Sequence, residues 1–575
     1  MTKAEFNWKI AGYAGQGIMT TGLLLSKTCA RHGLSAFDYT EYPSLIRGGH
    51  NTIQVKASKD KTNVQEKLVD LLIALNPDGV KLHLAEISEG TTIIFDQKES
   101  HFTPQQFQAK GIHYDIPMAD ITRQVGADKV MVNNVALGVS LYLLGLDLET
   151  FHNVLISVFK RKGDDVIKAN QDAAAAGYAF AKEHSKPIET ISLQKGEDRG
   201  EIVLSGNEAV GLGAISSGCK YFAAYPMTPT SALLHYMASV AEKYAIVVKH
   251  AEDEISAINQ IIGASYAGVR SMTATSGGGF ALMVEGVSLA GMTETPIVIL
   301  EGQRPAPATG LPTWTSQADL QFVLRSGHGE FPRAILTPGD VEEAFSLTRL
   351  AFEIAEKYQT PVIILGDKQL LESHQSCAPF AKTFSNERFG FANQEEKGTT
   401  FLRYKDTDTG VSPRALPGDA DALFLANSYE HNEYGLATEE SDMTAKQVSK
   451  RLRKEKGIAS LIPKPTVFGP SDAELTFISW GSNKGAILSA LKKLEGDKRT
   501  FNFMHLSAVW PFPIQEVTGF IRTAKRPVLV ECNATGQLGQ LLRQETGIVI
   551  DERLLKYDGR PFFPEEIADY ARRTT

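Results

Sequence analysis

Cysteine is scarce in this chain of 575 residues: there are four, Cys29, Cys219, Cys377 and Cys532, and no two make a Cys-x-x-Cys pair. Structural zinc sites and iron–sulfur clusters need several thiolates at local spacing, so neither is built from this chain alone. If electrons pass through a cluster, a partner carries it. Basic charge is also short. The formal net charge is −8 and there is no basic domain or long basic arm, which argues against a binder of nucleic acid or of anionic membranes. The one basic run, Lys446 to Lys456, reads as a solvated helix face. No apolar stretch reaches the roughly 18 residues that suggest a membrane span, and no charged-then-apolar leader follows Met1, so a cytoplasmic protein is expected.

What is present is ordinary globular material in quantity. Hydrophobic residues make up 43% and charged residues 22%, and the length predicts three or four domains. Strand and helix signals alternate, which predicts α/β architecture with doubly wound, mostly parallel sheets. The chain opens with a strand, Trp8 to Tyr13, that enters the turn Gly12-Tyr-Ala-Gly-Gln-Gly17 and then a helix, an arrangement whose amides can cradle an anion. Tyr42-Pro-Ser-Leu-Ile-Arg-Gly-Gly-His50 is a second turn-rich loop with a lone Arg47. The predicted division is an α/β domain over 1–184, a polar linker over 185–200, a second α/β domain over 201–372, a turn-rich connection over 373–470 and a last α/β domain over 471–575.

The stretch from His250 to Phe280 organises the second domain. Ile255, Ile258, Ile262 and Tyr266 recur at three- and four-residue spacing with Ala257, Gly263, Ala264 and Ala267 between them, which predicts a buried helix. Glu252, Asp253 and Glu254 lie at its start. Acids there interact favourably with the helix dipole, which is the plain explanation. The chemical one is that an acid at the mouth of a buried helix, facing the turn Thr275-Ser-Gly-Gly-Gly279 after a short strand, can hold and polarise a flat nitrogenous cofactor. Two further polar loops, 226–231 and 303–313, fall at the carboxyl ends of predicted strands, where parallel sheets bind ligands.

Tyr-Pro-Met-Thr-Pro-Thr-Ser (225–231), Glu-Asp-Glu-Ile-Ser-Ala with Gly-Ala-Ser-Tyr-Ala-Gly (252–268), Thr-Ser-Gly-Gly-Gly-Phe (275–280) and Gly-Gln-Arg-Pro-Ala-Pro-Ala-Thr-Gly-Leu-Pro-Thr (302–313) closely resemble the α subunit of 2-oxoacid:ferredoxin oxidoreductases. Gly-Tyr-Ala-Gly-Gln-Gly-Ile, Tyr-Pro-Ser-Leu-Ile-Arg-Gly-Gly and Asn-Asn-Val-Ala-Leu-Gly (133–138) resemble the γ subunit, fused in front. Ala14, Ala306 and Ala308 depart from the family pattern. The layout is most similar to the 2-oxoglutarate:ferredoxin oxidoreductases (2-oxoglutarate synthases). The resemblance implies transketolase-like pyrimidine-binding and C-terminal domains behind a γ-type α/β domain.

The implied reaction is oxidative decarboxylation of a 2-oxoacid on thiamine diphosphate, with coenzyme A taking the acyl group and ferredoxin the electrons. Glu254 matches the family's acid that shares a proton with the pyrimidine ring, and Thr228 and Arg304 match its grip on the substrate carboxylate, for which a guanidinium fork suits better than lysine. Tyr225, Pro226, Thr275, Ser276, Gly277 and Gly278 are the expected cofactor-binding positions. Gly15, Gln16, Gly17 and Arg47 are expected at coenzyme A. The Gly-Asp-Gly of a diphosphate-and-magnesium site occurs nowhere, so the resemblance assigns the diphosphate, Mg and a four-iron four-sulfur cluster to a β subunit in an (αβ)2 heterotetramer, and no metal to this chain. The pair Glu430 and His431 could hold a metal, but a surface loop is the plainer reading. Three alternatives stand: the same chemistry on pyruvate or another 2-oxoacid, an NAD-linked dehydrogenase using the 12–17 turn, or a non-catalytic assembly subunit.

Overall fold

The computed structural model describes residues 2–45, 48–193, 196–381, 386–398 and 401–573. Three sheets carry the fold. The first has eight strands in the order 112–115, 92–95, 71–74, 5–13, 50–58, 35–41, 374–377 and 202–205. It is mixed: Glu5–Tyr13 runs parallel to Leu71–Ala74 but antiparallel to His50–Ser58. Its last two strands come from beyond residue 200, so the segment after the polar stretch 185–200 is sewn into the same sheet.

The second sheet has seven strands, 508–510, 334–336, 361–367, 297–303, 271–275, 221–224 and 247–250. Its neighbours from 334–336 through to 247–250 are all parallel. All seven residues of Ile297–Gln303 and of Pro361–Asp367 are buried, as a strand covered by helices on both faces requires. Ala508–Trp510, lent by the C-terminal region, closes one edge in antiparallel register. The third sheet, of five strands, is built around Leu475–Trp480.

The helices begin where the sequence supplies caps. Ser205 and Glu208 form a reciprocal capping box at Gly206–Ser216, and Asp340 accepts the Glu343 amide at 2.9 Å to start Val341–Tyr358. Each such cap is worth ~1 kcal/mol. One apolar core joins Ile258, Ile261 and Ile262, Phe280, Met283 and Val287 to Ile478, Trp480, Met504 and Leu529 of the third sheet. The helices Glu254–Tyr266 and Gly277–Met292 are thereby wedged between second and third sheets.

Two expectations are corrected here. The run Lys446 to Lys456 lies in the helix Ser441–Leu461 and is solvated only in part: Lys446, Arg453 and Lys456 are exposed, but Gln447, Lys450, Arg451 and Lys454 are buried. Lys450 and Lys454 each reach a carboxyl oxygen of buried Glu294 at 2.5 Å, and Arg403 donates to the Glu294 carbonyl at 3.0 Å. The long stems lie along apolar surface while their heads find an acid, a pairing that a charge count cannot reveal. The helix Glu254–Tyr266 is buried on one face only. Ile258 and Ile262 face the core, whereas Ile255 is 50% exposed and Tyr266 36% exposed.

Glu430 is engaged by Arg451 through two bonds of 2.9 and 2.5 Å, and His431 is buried against Tyr404. The four cysteines are separate, reduced and buried. Burial pushes the Cys219 and Cys377 thiols up to about 12, so they are inert as thiolates near neutral pH. No described helix is long and apolar enough to cross a membrane.

Candidate functional site

The carboxyl ends of the parallel strands 221–224, 271–275 and 297–303 bring most of the singled-out residues together. Strand Tyr221–Ala224 delivers the loop that starts at Tyr225, which is 39% exposed. Buried Asn207 pins that loop by donating to the Pro229 carbonyl at 2.9 Å and to the Leu371 carbonyl at 2.8 Å. The peptide between Thr228 and Pro229 is cis. Arg304, one residue past strand Ile297–Gln303, donates from Nη1 to the Thr228 carbonyl at 2.9 Å. The two residues expected to grip one carboxylate are thus joined directly.

Glu254 is the first residue of its helix, while Asp253 is the cap, accepting the Ser256 amide at 2.7 Å. That division of labour explains the acid run: Asp253 satisfies the helix start, and Glu254 turns inward. It is 4% exposed, and its Oε1 has no hydrogen-bond partner. Burial raises its pKa, the backbone amide at the helix start opposes this, and the Asp253 charge adds to the rise. Across from it, strand Ser271–Thr275 ends in Ser276, which heads the helix Gly277–Met292. Ser276 Oγ is likewise buried without a partner. A Cβ at Gly279 would drive into Thr275 Oγ1 and stand 2.5 Å from Glu254 Oε1. Glycine there keeps the acid and the turn in close approach.

A buried carboxyl oxygen without a donor costs about 1–3 kcal/mol when nothing completes it. A flat heterocycle with ring nitrogens and an amino group, held between the loop at Tyr225–Pro226 and the Thr275–Gly278 turn, has the donor that Glu254 Oε1 lacks. The residues therefore fit the pyrimidine half of thiamine diphosphate.

Several members of the site were not singled out from the sequence. Glu301 is fully buried in the same strand that delivers Arg304, and Asp319 is 9% exposed. Gln303 accepts the Asp319 amide at 3.1 Å. Gln317, two residues before Asp319, ties the strap that follows Arg304 to the C-terminal region: its Nε2 donates to the Trp480 carbonyl at 3.0 Å, and its Oε1 accepts from Asn483 at 2.8 Å and from the Cys532 amide at 3.1 Å. A legible signal for Glu301 existed, an acid closing an otherwise apolar strand, Pro-Ile-Val-Ile-Leu-Glu.

The N-terminal turn is a separate place. Gly15 and Gly17 both have positive φ, and Gly17 precedes the helix Ile18–Arg31. Gln16 folds back so that its Oε1 accepts the Tyr13 amide at 2.6 Å. Arg47 lies outside the described residues. The two regions are connected, however: Thr313 Oγ1, in the strap that follows Arg304, donates to the Tyr42 carbonyl at 2.5 Å, and Tyr42 begins the loop that carries Arg47. Tyr42 itself donates to Glu372 at 2.9 Å.

Comparison with known proteins places this geometry in a family. Residues 212–450 match the family described as pyruvate flavodoxin/ferredoxin oxidoreductase, thiamine diphosphate-binding, and residues 7–180 match pyruvate ferredoxin/flavodoxin oxidoreductase. The α subunit of 2-oxoacid:ferredoxin oxidoreductase from Saccharolobus solfataricus is 31% identical, over 98% of this chain and 97% of its own. The KorA subunit of 2-oxoglutarate synthase from Methanothermobacter thermautotrophicus is 33% identical over 64% of this chain and 97% of its own. Among solved structures, 2-oxoglutarate:ferredoxin oxidoreductase from Magnetococcus marinus, with 2-oxoglutarate, coenzyme A and succinyl-CoA bound, superposes with a TM-score of 0.92 at 33% identity and covers 99% of both chains. An oxidoreductase subunit in sequence and in fold, the chain belongs to the α subunits of the 2-oxoacid:ferredoxin oxidoreductases.

Proposed function

We propose that this chain is the α subunit of a 2-oxoglutarate:ferredoxin oxidoreductase, which decarboxylates 2-oxoglutarate oxidatively and reversibly. Coenzyme A takes the succinyl group, carbon dioxide leaves, and two electrons pass by way of a partner's cluster to ferredoxin. The observation that carries this reading is the buried, partnerless carboxyl oxygen of Glu254 against the Thr275–Gly279 turn. The choice of oxoacid is supported by the 0.92 TM-score to an enzyme that binds 2-oxoglutarate.

When bound, thiamine diphosphate supplies the carbon that adds to the keto group and the sink for the electron pair left by carbon dioxide. The chain's own residues do the rest. Glu254 shares a proton with the pyrimidine ring nitrogen, and burial raises its pKa in the direction that such an acid needs. Tyr225, Pro226, Thr275, Ser276, Gly277 and Gly278 hold the pyrimidine. Arg304 and Thr228 orient the carboxylate that is to leave. Gly15, Gln16 and Gly17, with Arg47, bind the phosphates of coenzyme A. A β subunit contributes the diphosphate grip, Mg and the four-iron four-sulfur cluster, in an (αβ)2 assembly. The same reading divides the chain at 184, 200, 372 and 470.

The test is a substrate panel on the complex co-purified with its β subunit, with ferredoxin reduction as readout. 2-Oxoglutarate should exceed pyruvate in kcat/KM by about tenfold or more. Pyruvate equal or better would overturn the substrate. No coenzyme-A-dependent reduction with any 2-oxoacid would overturn the reading as a whole.

A further inference from the structure

One turn of the last domain is built against the strap that follows Arg304. Strands Leu475–Trp480, Pro527–Glu531 and Arg553–Leu555 of the third sheet run parallel, so their carboxyl ends share one side. That is the side on which parallel sheets bind ligands. The back half of the strap lies across it. The Gln317 amide donates to the Cys532 carbonyl at 2.7 Å, beside the Gln317 side-chain bonds to Trp480 and Cys532, and the Thr315 amide donates to the Gly559 carbonyl at 3.0 Å. The strap therefore runs from the carboxyl end of one parallel sheet, at Gln303, to the carboxyl ends of another.

The front half is more open. Residues 306–311 are exposed, and the bonds that shape this stretch run within the strap, from the Leu311 amide to the Pro305 carbonyl at 3.0 Å and from the Trp314 amide to the Leu311 carbonyl at 3.2 Å. Its outside support is the turn Asp558-Gly-Arg560. Gly559 has a positive φ, and a Cβ there would stand 3.2 Å from Leu311 Cδ1, 3.2 Å from Trp314 Cβ and 3.7 Å from Pro305 Cγ. Glycine permits both the turn and the close approach. Asp558 braces the turn, its side chain accepting the Arg560 amide at 2.9 Å and its carbonyl accepting from Arg560 Nη1 at 3.1 Å. Arg560 is thereby set over the Trp314 ring, its guanidinium carbon 3.7 Å from the ring centre.

We infer that Arg560 is a positioning residue for Arg304, acting through Trp314. The inference rests on the reading of Arg304 as the grip for the substrate carboxylate. Tryptophan offers a cation the best ring face, and a guanidinium adds planar stacking that an ammonium lacks. The clamp fixes Trp314 and, with Gly559 against Pro305, the residue next to Arg304. A strap released from it spends part of its time in arrangements that do not bind, and apparent affinity falls by that fraction. Steps after binding are untouched, because Arg560 itself meets neither substrate nor cofactor.

The experiment measures steady-state kinetics on the complex co-purified with its β subunit, with 2-oxoglutarate and with pyruvate. Arg560→Ala should raise KM for both oxoacids by the same factor, about threefold to tenfold, with kcat close to wild type. Arg560→Lys, which returns the charge without the plane, should fall between. Trp314→Leu should match Arg560→Ala, and the double variant should be no worse than either single one, since the two side chains form one clamp. Additive losses, or an unmoved KM in Arg560→Ala, overturn the inference. So does a rise confined to 2-oxoglutarate, which would put Arg560 on the far carboxylate of the substrate itself. Failure of the underlying reading looks different, because Arg304→Lys would then leave oxoacid KM unmoved.

Discussion

Two buried clusters of acids, Glu294 with its lysines and Glu254 with Glu301 and Asp319, use one residue chemistry to opposite ends. Burial penalises the charged form at all four. At Glu294 the penalty is more than offset by Lys450, Lys454 and Arg403, which draw its carboxyl well below the usual range while burial pushes Lys454 down to about 8. At Glu254, Glu301 and Asp319 nothing offsets it fully, and all three are raised. The first cluster is electrostatically closed and clasps the helix Ser441–Leu461 to the core. The second holds acids with oxygens unspent, and such oxygens are available for chemistry. Completeness of the partner set, more than burial, separates a structural acid from a functional one here.

The comparison breaks most sharply at Glu254. Glu254→Gln keeps a hydrogen-bonding group of the same shape but cannot share a proton, so kcat in the assembled complex should fall by 10²–10⁴-fold, the usual range for lost acid–base assistance, with little change in KM. Exchange of the cofactor's C2 proton, followed by NMR, should slow in parallel. Wild-type exchange in this variant would move the catalytic acid elsewhere.

Glu294→Gln tests the other half. Removing one partner from a buried ion cluster leaves lysines uncompensated and should cost roughly 3–5 kcal/mol of stability, read as a fall in Tm, while kcat of the folded complex stays near wild type. A depressed carboxyl contributes stability above its unfolded pKa and loses it as pH falls toward its folded value. The Tm gap between variant and wild type should therefore be full at neutral pH and narrow below the ordinary carboxylate range. A gap that widens in acid would refute the clasp.

Arg304→Lys retains charge but loses the fork. Oxoacid KM should rise about tenfold or more, in line with ~1.5–3 kcal/mol for a charge-assisted bond, and coenzyme A KM should hold. A rise confined to coenzyme A would assign the arginine to another site. The smallest effect is expected at Glu252, which is exposed and precedes the helix cap. Glu252→Gln should change kcat by less than about threefold, and a larger loss would blur the distinction drawn between neighbouring acids.

Much of this was legible in residue order. Alternating strands and helices foretold the parallel second sheet, and loops at strand ends foretold where Tyr225, Thr275 and Arg304 gather. Glu254 stands out from its acid run only by resemblance to the family's acid, and it takes the structure to show that Asp253 is the residue that caps the helix. What stayed hidden depended on contacts between distant segments. Lys450 and Lys454 read as solvated because their acid lies some 150 residues earlier. Ile255 read as core because periodicity fixes a face but not whether a neighbour covers it. Asp319 follows a proline- and threonine-rich strap with no periodic signal, and only folding brings it under Gly277. The first sheet's two last strands could not be foreseen, since four-residue segments at 202–205 and 374–377 gain their meaning from an edge that the N-terminal region provides.

The bond from Thr313 to the Tyr42 carbonyl gives the covalent order of the chain a thermodynamic meaning. A strap fastened at its far end to the N-terminal unit depends on that unit being present. On one chain its local concentration is set by the connecting segment, on the order of millimolar for short flexible linkers, and does not fall on dilution. Were the same two parts carried on separate chains, the strap would be held only as often as they associate. Joining them makes the order of the Arg304 loop independent of how much protein the cell happens to contain.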